Sequence, residues 1–156
     1  MNRKAEIQSA YGGLGGAHGF YDGMMTGTTR AGRWIDRHIW HMTREDLLAY
    51  QSGAFAAIPG DFAGTLLEVP VGTGVLSMPV FQTLPNAEIT CVDYSEKMMS
   101  AAERRAAEMG IRNVRFTQGD MGNLPFPNAQ FDGVVSLNGF HVFPDKERRT
   151  GRFSGY

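Results

Sequence analysis

The chain has 156 residues, of which 42% are hydrophobic and 20% charged, and its formal net charge is −1. That length suffices for one domain with a buried core, while the near-neutral charge gives no general attraction to nucleic acid. No apolar run approaches the ~18 residues of a membrane helix and the N-terminus lacks the pattern of a signal peptide, so we expect a cytoplasmic protein with neither membrane nor nucleic acid as partner.

The first 60 residues combine a glycine-rich stretch with a helical one. Residues 10–32 contain many glycines, each of which costs ~1 kcal/mol inside a helix, so this stretch predicts a loop or lid. Residues 33–55 show helical spacing of apolar and aromatic side chains, and Thr43 with Asp46 forms a capping box that begins a second helix. We therefore expect a lid and helices over residues 1–60.

From residue 65 onward, short apolar runs alternate with helical patterns. The runs at 65–71, 88–94, 114–120 and 131–138 have the length of buried strands. Between the second and third, residues 95–110 predict a helix with Ser95 as its N-cap and Gly110 as its stop. The alternation predicts a parallel α/β sheet over residues 61–145, followed by an irregular tail over 146–156, all in one structural domain.

Polar residues follow each predicted strand. In open α/β sheets, ligands bind at the carboxyl ends of the strands. Four such ends provide Glu68 with a glycine loop, Asp93, Asp120, and Asn138 with His141. We therefore expect these residues to converge on one ligand site.

The glycine loop and Asp93 are typical of nucleotide-binding sites, but they do not identify which ligand binds. Gly72 and Gly74 allow a ligand to approach the backbone, and Asp93, nineteen residues after Gly74, can accept the hydrogens of a ribose diol. A G-x-G turn alone is a weak signal, and glycines that serve only a tight turn explain it about as well. A nicotinamide-dependent oxidoreductase of similar fold is one alternative.

Two further features favour S-adenosylmethionine over a dinucleotide. Glu68 puts an anion just before the loop, where it suits an ammonium group rather than a pyrophosphate. Asp120 offers a carboxylate to an exocyclic amine, and Met121 a flexible apolar side chain to a purine face. An ammonium group, a ribose and an adenine together describe S-adenosylmethionine.

Three segments resemble motifs of one known family, in its order and spacing. They read "LLEVPVGTG", "ITCVDYSEKMMSAAERRA" and "VRFTQGDMGNLPFPNAQFDGVVSLNGFHVFPD". Over residues 65–145 the chain resembles the class I S-adenosylmethionine-dependent methyltransferases, particularly the small-molecule branch related to the ubiquinone and menaquinone enzymes. The resemblance implies a Rossmann-like parallel sheet with helices on both faces, a small-molecule methyl acceptor, and S-adenosylhomocysteine as product.

The resemblance also implies a role for each matching residue. The methionine part of the cofactor would lie on Glu68 and the loop formed by Pro70, Val71, Gly72, Thr73 and Gly74. The ribose and adenine would lie on Asp93, Tyr94, Asp120 and Met121. Asn138 would line the cofactor near its sulfur, and Tyr21 would close over it. Pro70 departs from the family, which commonly has glycine at that position, and we expect a stiffer loop there.

Other candidate residues have simpler explanations. His141 lies where it could contact the acceptor or act as a base, although a packing histidine explains it slightly better. We expect no metal site, since His38 and His41 have the spacing of an ordinary helix surface. We expect Cys91 to be a small buried hydrophobic residue rather than a nucleophile. We expect the Arg104–Arg105 pair to lie on a solvated helix face.

The C-terminal residues differ from the family's usual continuation. Relatives continue past the fourth strand with a helix, a fifth strand and a hairpin, whereas this chain reads "FPDKERRTGRFSGY". We expect a truncated form that binds the cofactor with weak or absent turnover, and a cofactor-binding protein without turnover is the second alternative. We also expect a homo-oligomer that pairs through the exposed edge of the fourth strand, residues 133–137, because this run contains no Lys or Pro to discourage pairing.

Overall fold

The computed structural model of the chain describes residues 20–26, 28–39, 41 and 43–137. They belong to two compact units. One contains the described residues up to Gly60 together with Val75–Thr83, and the other contains Asp61–Gly74 and the residues from Leu84 onward. None of the helices in the described ranges has the length and apolarity needed to cross a membrane. The predicted division near residue 60 and the single domain remain predictions.

The first unit is helical. Its helices are α1 (Phe20–Thr26), α2 (Arg30–His38), α3 (Arg44–Phe55) and the short α4 (Met78–Phe81). The predicted capping box is confirmed: the Thr43 hydroxyl accepts from the Asp46 N–H at 3.1 Å, and the Thr43 N–H donates to the Asp46 carboxylate at 2.8 Å. Phe55 and Phe81 pack edge to face in the buried part of this unit, with ring centroids 6.1 Å apart.

The prediction of a loop within residues 10–32 is wrong for residues 20–26, which are helical, and from Arg30, where α2 begins. The glycines explain the difference. A Cβ on Gly32 would lie 2.1 Å from the carbonyl oxygen of Gly23, and one on Gly23 would lie 2.4 Å from Thr29 Cγ2. These glycines allow α1 and α2 to approach closely, and that contact offsets their low helix propensity.

The second unit contains a parallel sheet. Its strands are β1 (Thr65–Glu68), β2 (Glu88–Asp93), β3 (Val114–Gln118) and β4 (Gly133–Val135). They run parallel in the order β3-β2-β1-β4. The prediction of four parallel strands is confirmed, with each strand shorter than the run that predicted it, and the α/β fold class is confirmed with it.

The predicted helix between β2 and β3 is also confirmed. It is α5 (Glu96–Glu108), and its N-cap Ser95 accepts from the Met98 N–H at 3.4 Å. Gly110 has a φ of 70°, which suits a glycine stop just beyond the helix. Ala102 and Ala106 of its apolar stripe are buried.

One face of the sheet supports a hydrophobic core that reaches the strand ends. Side chains of β1, β2, the 3-10 turn after β3 and the approach to β4 form it: Leu67, Val69, Val92, Met121, Leu124 and Phe131. Phe126 packs on Phe131 edge to face with centroids 5.2 Å apart. The core includes Val69, which directly follows the polar residue Glu68 at the end of β1, and Val92, which directly precedes Asp93 at the end of β2.

Candidate functional site

Three carboxylates lie in a row along the carboxyl edge of the sheet. Glu68 is the last residue of β1, Asp93 is the last of β2, and Asp120 follows the end of β3 at Gln118. Because the strand order is β3-β2-β1, they occur along the edge in the order Asp120, Asp93, Glu68. Neighbouring strands are about 4.8 Å apart. The row is also staggered, because Glu68 pairs with Cys91, two residues before Asp93, and Asp93 pairs with Gln118, two residues before Asp120.

Asp93 is the central residue of this row and is only 6% exposed. Its Oδ2 accepts from the Gly72 N–H at 2.7 Å, and its Oδ1 accepts from the Ser95 N–H at 2.8 Å. Each carboxylate oxygen has a second lone pair, so the group can still accept the two hydrogens of a diol. Asp93 therefore ties the glycine loop to the start of α5, a structural role that the sequence did not predict.

The glycine loop after β1 is a tight turn. The Val71 N–H donates to the carbonyl of Val92 at 2.9 Å, and the Gly74 N–H closes the turn on the carbonyl of Val71 at 3.1 Å. Gly72 and Gly74 have φ values of 58° and 68°, a region that favours glycine. The preceding residue, Pro70, is half-buried and follows a cis peptide bond.

Arg105 of α5 also contacts this loop. Its Nε donates to the carbonyl of Thr73 at 3.1 Å, and its side chain is half-buried. The prediction of a solvated face is therefore wrong for Arg105, while Arg104 is exposed. The sequence contained a signal for this difference, because Arg105 lies three residues after Ala102 and four before Met109, on the apolar stripe of the helix.

Glu68 is buried beside Cys91, its neighbour in the pairing of β1 with β2. The Cys91 thiol donates to Glu68 Oε2 at 3.7 Å. Burial, followed by the nearby Glu68 charge, raises the pKa of the Cys91 thiol well above its ordinary value. Cys91 is thus a buried thiol, as predicted, and it also contacts the acid of the proposed site.

Asp120 and Met121 begin the 3-10 turn that follows β3. Asp120 Oδ1 accepts from the Gly122 N–H at 2.8 Å, and its Oδ2 has no hydrogen-bond partner within the described ranges. The side chain of Met121 is 1% exposed and belongs to the core cluster. Its contact with a purine face stays a prediction. Tyr94, next to Asp93, is 61% exposed.

A further polar group lies at the end of β4. The hydroxyl of Ser136, which the sequence did not single out, is buried without a hydrogen-bond partner in the part of the chain that the structure describes. Its strand pairs with β1 so that Val135 lies opposite Glu68. The predicted contacts at Asn138 and His141 lie outside the described residues, as does the side chain of Tyr21.

Comparison with known proteins gives one matching family model, the methyltransferase domain, over residues 66–152. Over 86 residues, the chain is 36% identical to a demethylmenaquinone methyltransferase of Thermus thermophilus, and the match covers 55% of this chain and 39% of that protein. It is 38% identical over 86 residues to a phosphatidylethanolamine N-methyltransferase of Cereibacter sphaeroides, covering 54% of this chain and 41% of that one. The chain therefore spans about two fifths of the length of these relatives.

The fold is also found among solved structures. A SAM-dependent methyltransferase from Aquifex aeolicus superimposes with a TM-score of 0.58 at 16% identity, over 67% of this chain and 56% of that chain. At this identity the likeness shows the fold alone, and it agrees with the predicted Rossmann-like sheet.

Proposed function

Because the chain belongs to the methyltransferase domain family, and within it resembles class I enzymes of the menaquinone type, we propose that it binds S-adenosylmethionine and transfers its methyl group to a small molecule. When bound, this cofactor supplies a methyl group activated by a sulfonium centre. The two relatives are named for different acceptors, demethylmenaquinone and phosphatidylethanolamine. We therefore propose a small-molecule acceptor without assigning its reacting atom.

The single observation that supports this proposal best is the order of the three carboxylates. Along the sheet edge they occur as Asp120, Asp93 and Glu68. S-adenosylmethionine contains, in the same order, an adenine amine, a ribose diol and a methionine ammonium group, and each of these groups can donate hydrogen bonds to a carboxylate. A dinucleotide has a pyrophosphate beyond its ribose, and the buried Glu68 would repel it.

Other groups at the edge fit the same ligand. The two positive-φ glycines leave the loop without side chains, so the methionine part can approach the backbone closely. The exposed ring of Tyr94 lies next to the proposed ribose acceptor and can stack on the adenine.

The contribution of these residues to methyl transfer is positioning. A ligand held along its whole length by hydrogen bonds that it donates to the carboxylates of adjacent strand ends has one orientation, and an acceptor placed in line behind the methyl carbon then reacts without acid catalysis. A base is needed only for an acceptor that must lose a proton, and His141 is our candidate for that role. Asn138 and Tyr21 are proposed contacts of the bound cofactor.

Calorimetry with S-adenosylhomocysteine tests the proposal. We expect binding to the wild type, loss of binding in Asp93→Ala and Gly72→Val, and no binding of NAD under the same conditions. Glu103→Gln, an exposed acid on α5, is the matched control and should bind like the wild type. Unchanged affinity in both site variants, or preference for NAD, would contradict the proposed site. Detection of the S-adenosylhomocysteine that is formed with each of a panel of acceptors then tests turnover.

A further inference from the structure

Arg105 connects α5 to the glycine loop at a defined point. Its Nε donates to the carbonyl of Thr73 at 3.1 Å. Thr73 lies between Gly72 and Gly74, whose φ values are 58° and 68°. The charged donor therefore contacts the loop between its two left-handed residues.

The peptide unit that joins Thr73 to Gly74 is held at both ends. Its carbonyl accepts from Arg105, and its N–H donates to the carbonyl of Val71 at 3.1 Å. Glycine adopts positive and negative φ about equally, so contacts from outside the loop are needed to select one conformation. Hydrogen bonds from a charged donor are about twice as strong as neutral ones, which suits a guanidinium to this position.

Asp93 fixes a second peptide unit of the same loop. It accepts from the Gly72 N–H at 2.7 Å, and that N–H belongs to the peptide bond after Val71. An anion at the end of β2 thus holds an N–H of the loop, and a cation on α5 holds a carbonyl two peptide units later. The loop conformation depends on both.

We propose that Arg105 is a positioning residue for the cofactor: by holding the Thr73 carbonyl, it keeps the glycine loop in its binding conformation before the ligand arrives. This inference rests on the proposed function, which supplies the ligand. Fixing a loop in its bound conformation removes the ordering cost from the binding step. Loss of the contact should therefore weaken cofactor affinity without Arg105 touching the cofactor.

The test compares three variants of the full chain. Arg105→Met removes the donor and retains much of the apolar stem, Arg105→Lys restores a cationic donor, and Arg104→Met is the matched control on the exposed side of the same helix. The first measurement is hydrogen exchange of the Gly74 amide without ligand. The second is the affinity for S-adenosylhomocysteine by calorimetry, and circular dichroism checks that each variant is folded.

We expect Arg105→Met to exchange the Gly74 amide faster and to lose about tenfold or more in affinity. Arg105→Lys should recover part of both, and Arg104→Met should match the wild type. Unchanged exchange in Arg105→Met, or faster exchange with wild-type affinity, would overturn the inference. Absence of binding by the wild type itself would instead overturn the proposed function, and the two failures are therefore distinguishable.

Discussion

Gly72 donates its backbone N–H to Oδ2 of Asp93 at 2.7 Å, across the 21 residues that separate them in sequence. The same carboxylate accepts from the Ser95 N–H at 2.8 Å, so each of its oxygens accepts from one backbone donor. A side chain predicted only to contact the ribose therefore also builds the loop that would hold the methionine part. Ligand recognition and loop structure are joined in one residue.

Asp93→Asn should consequently weaken binding more than the loss of one ligand contact would. The amide has one oxygen and one NH₂ group, so its NH₂ must face a backbone N–H of either Gly72 or Ser95. Hydrogen bonds to charged groups contribute about 1.5–3 kcal/mol, and we expect a loss of at least tenfold in affinity for S-adenosylhomocysteine. Calorimetry checks the affinity, with Glu96→Gln on the exposed surface of α5 as control. Wild-type affinity in Asp93→Asn would contradict this role.

Comparison of Gly72→Ala with Gly110→Ala should distinguish the effect of backbone strain on stability from a specific effect on ligand affinity. Both glycines have positive φ, 58° and 70°, where an alanine costs about 1–2 kcal/mol. A Cβ on Gly110 would meet no atom of the described residues within 4 Å, so only strain is added there. We expect both variants to lose similar stability in urea denaturation and only Gly72→Ala to lose affinity. Equal losses of affinity in both would assign the effect to general destabilisation.

Cys91 should be unreactive in the folded protein. Its thiol is buried, and burial together with the nearby Glu68 raises its pKa well above the ordinary value of 9.0. Because the thiolate is the reactive form, we expect no labelling by a thiol reagent at pH 8 until the protein is unfolded in urea. Rapid labelling of the native protein at a rate close to that of the unfolded chain would show that the β1–β2 pair opens readily.

The predicted dimer through β4 stays a prediction, and its test should leave the side chains of β4 unchanged. In the described part of the chain, β4 pairs with β1 on one side. Val135 is buried and Val134 packs against the core cluster, so a lysine at either position would damage the fold itself. Light scattering after size exclusion is the cleaner measurement, with an expected mass of at least twice 17.1 kDa. A monomer at all micromolar concentrations would reject the dimer.

The sequence predicted the strand ends well, because buried parallel strands are continuous apolar runs. The polar residues at the ends of these runs are therefore easy to recognise. Glu68, Asp93 and Asp120 were found in this way. It failed at α1, where the low propensity of Gly23 is outweighed by a close contact with Gly32 that exists only in the folded chain. The linear order of the three acids depends on which strands are neighbours, and no pattern within a strand specifies that.

Asp132 should make stability depend on pH. Hydrogen bonds from the Thr65 N–H and the Thr65 hydroxyl, both 2.8 Å from Oδ2, lower the pKa of Asp132 below its ordinary value of 3.8. A carboxylate with a lowered folded pKa stabilises the fold above its unfolded pKa, and this contribution disappears as the pH falls through the folded pKa. The contact links the start of β1 to the residue just before β4.

Asp132→Asn should therefore have a lower melting temperature than the wild type at pH 7. The difference should shrink below about pH 4, as the wild-type carboxyl gains its proton and loses the charge that strengthens both hydrogen bonds. Asp61→Asn, which changes an exposed acid of the same unit, is the control and should follow the wild type at every pH. Thermal melts between pH 3 and pH 7 measure both variants. A difference between Asp132→Asn and the wild type that stays constant over this range would show that the charge of Asp132 does not contribute, because the neutral and charged acceptors would then be equivalent.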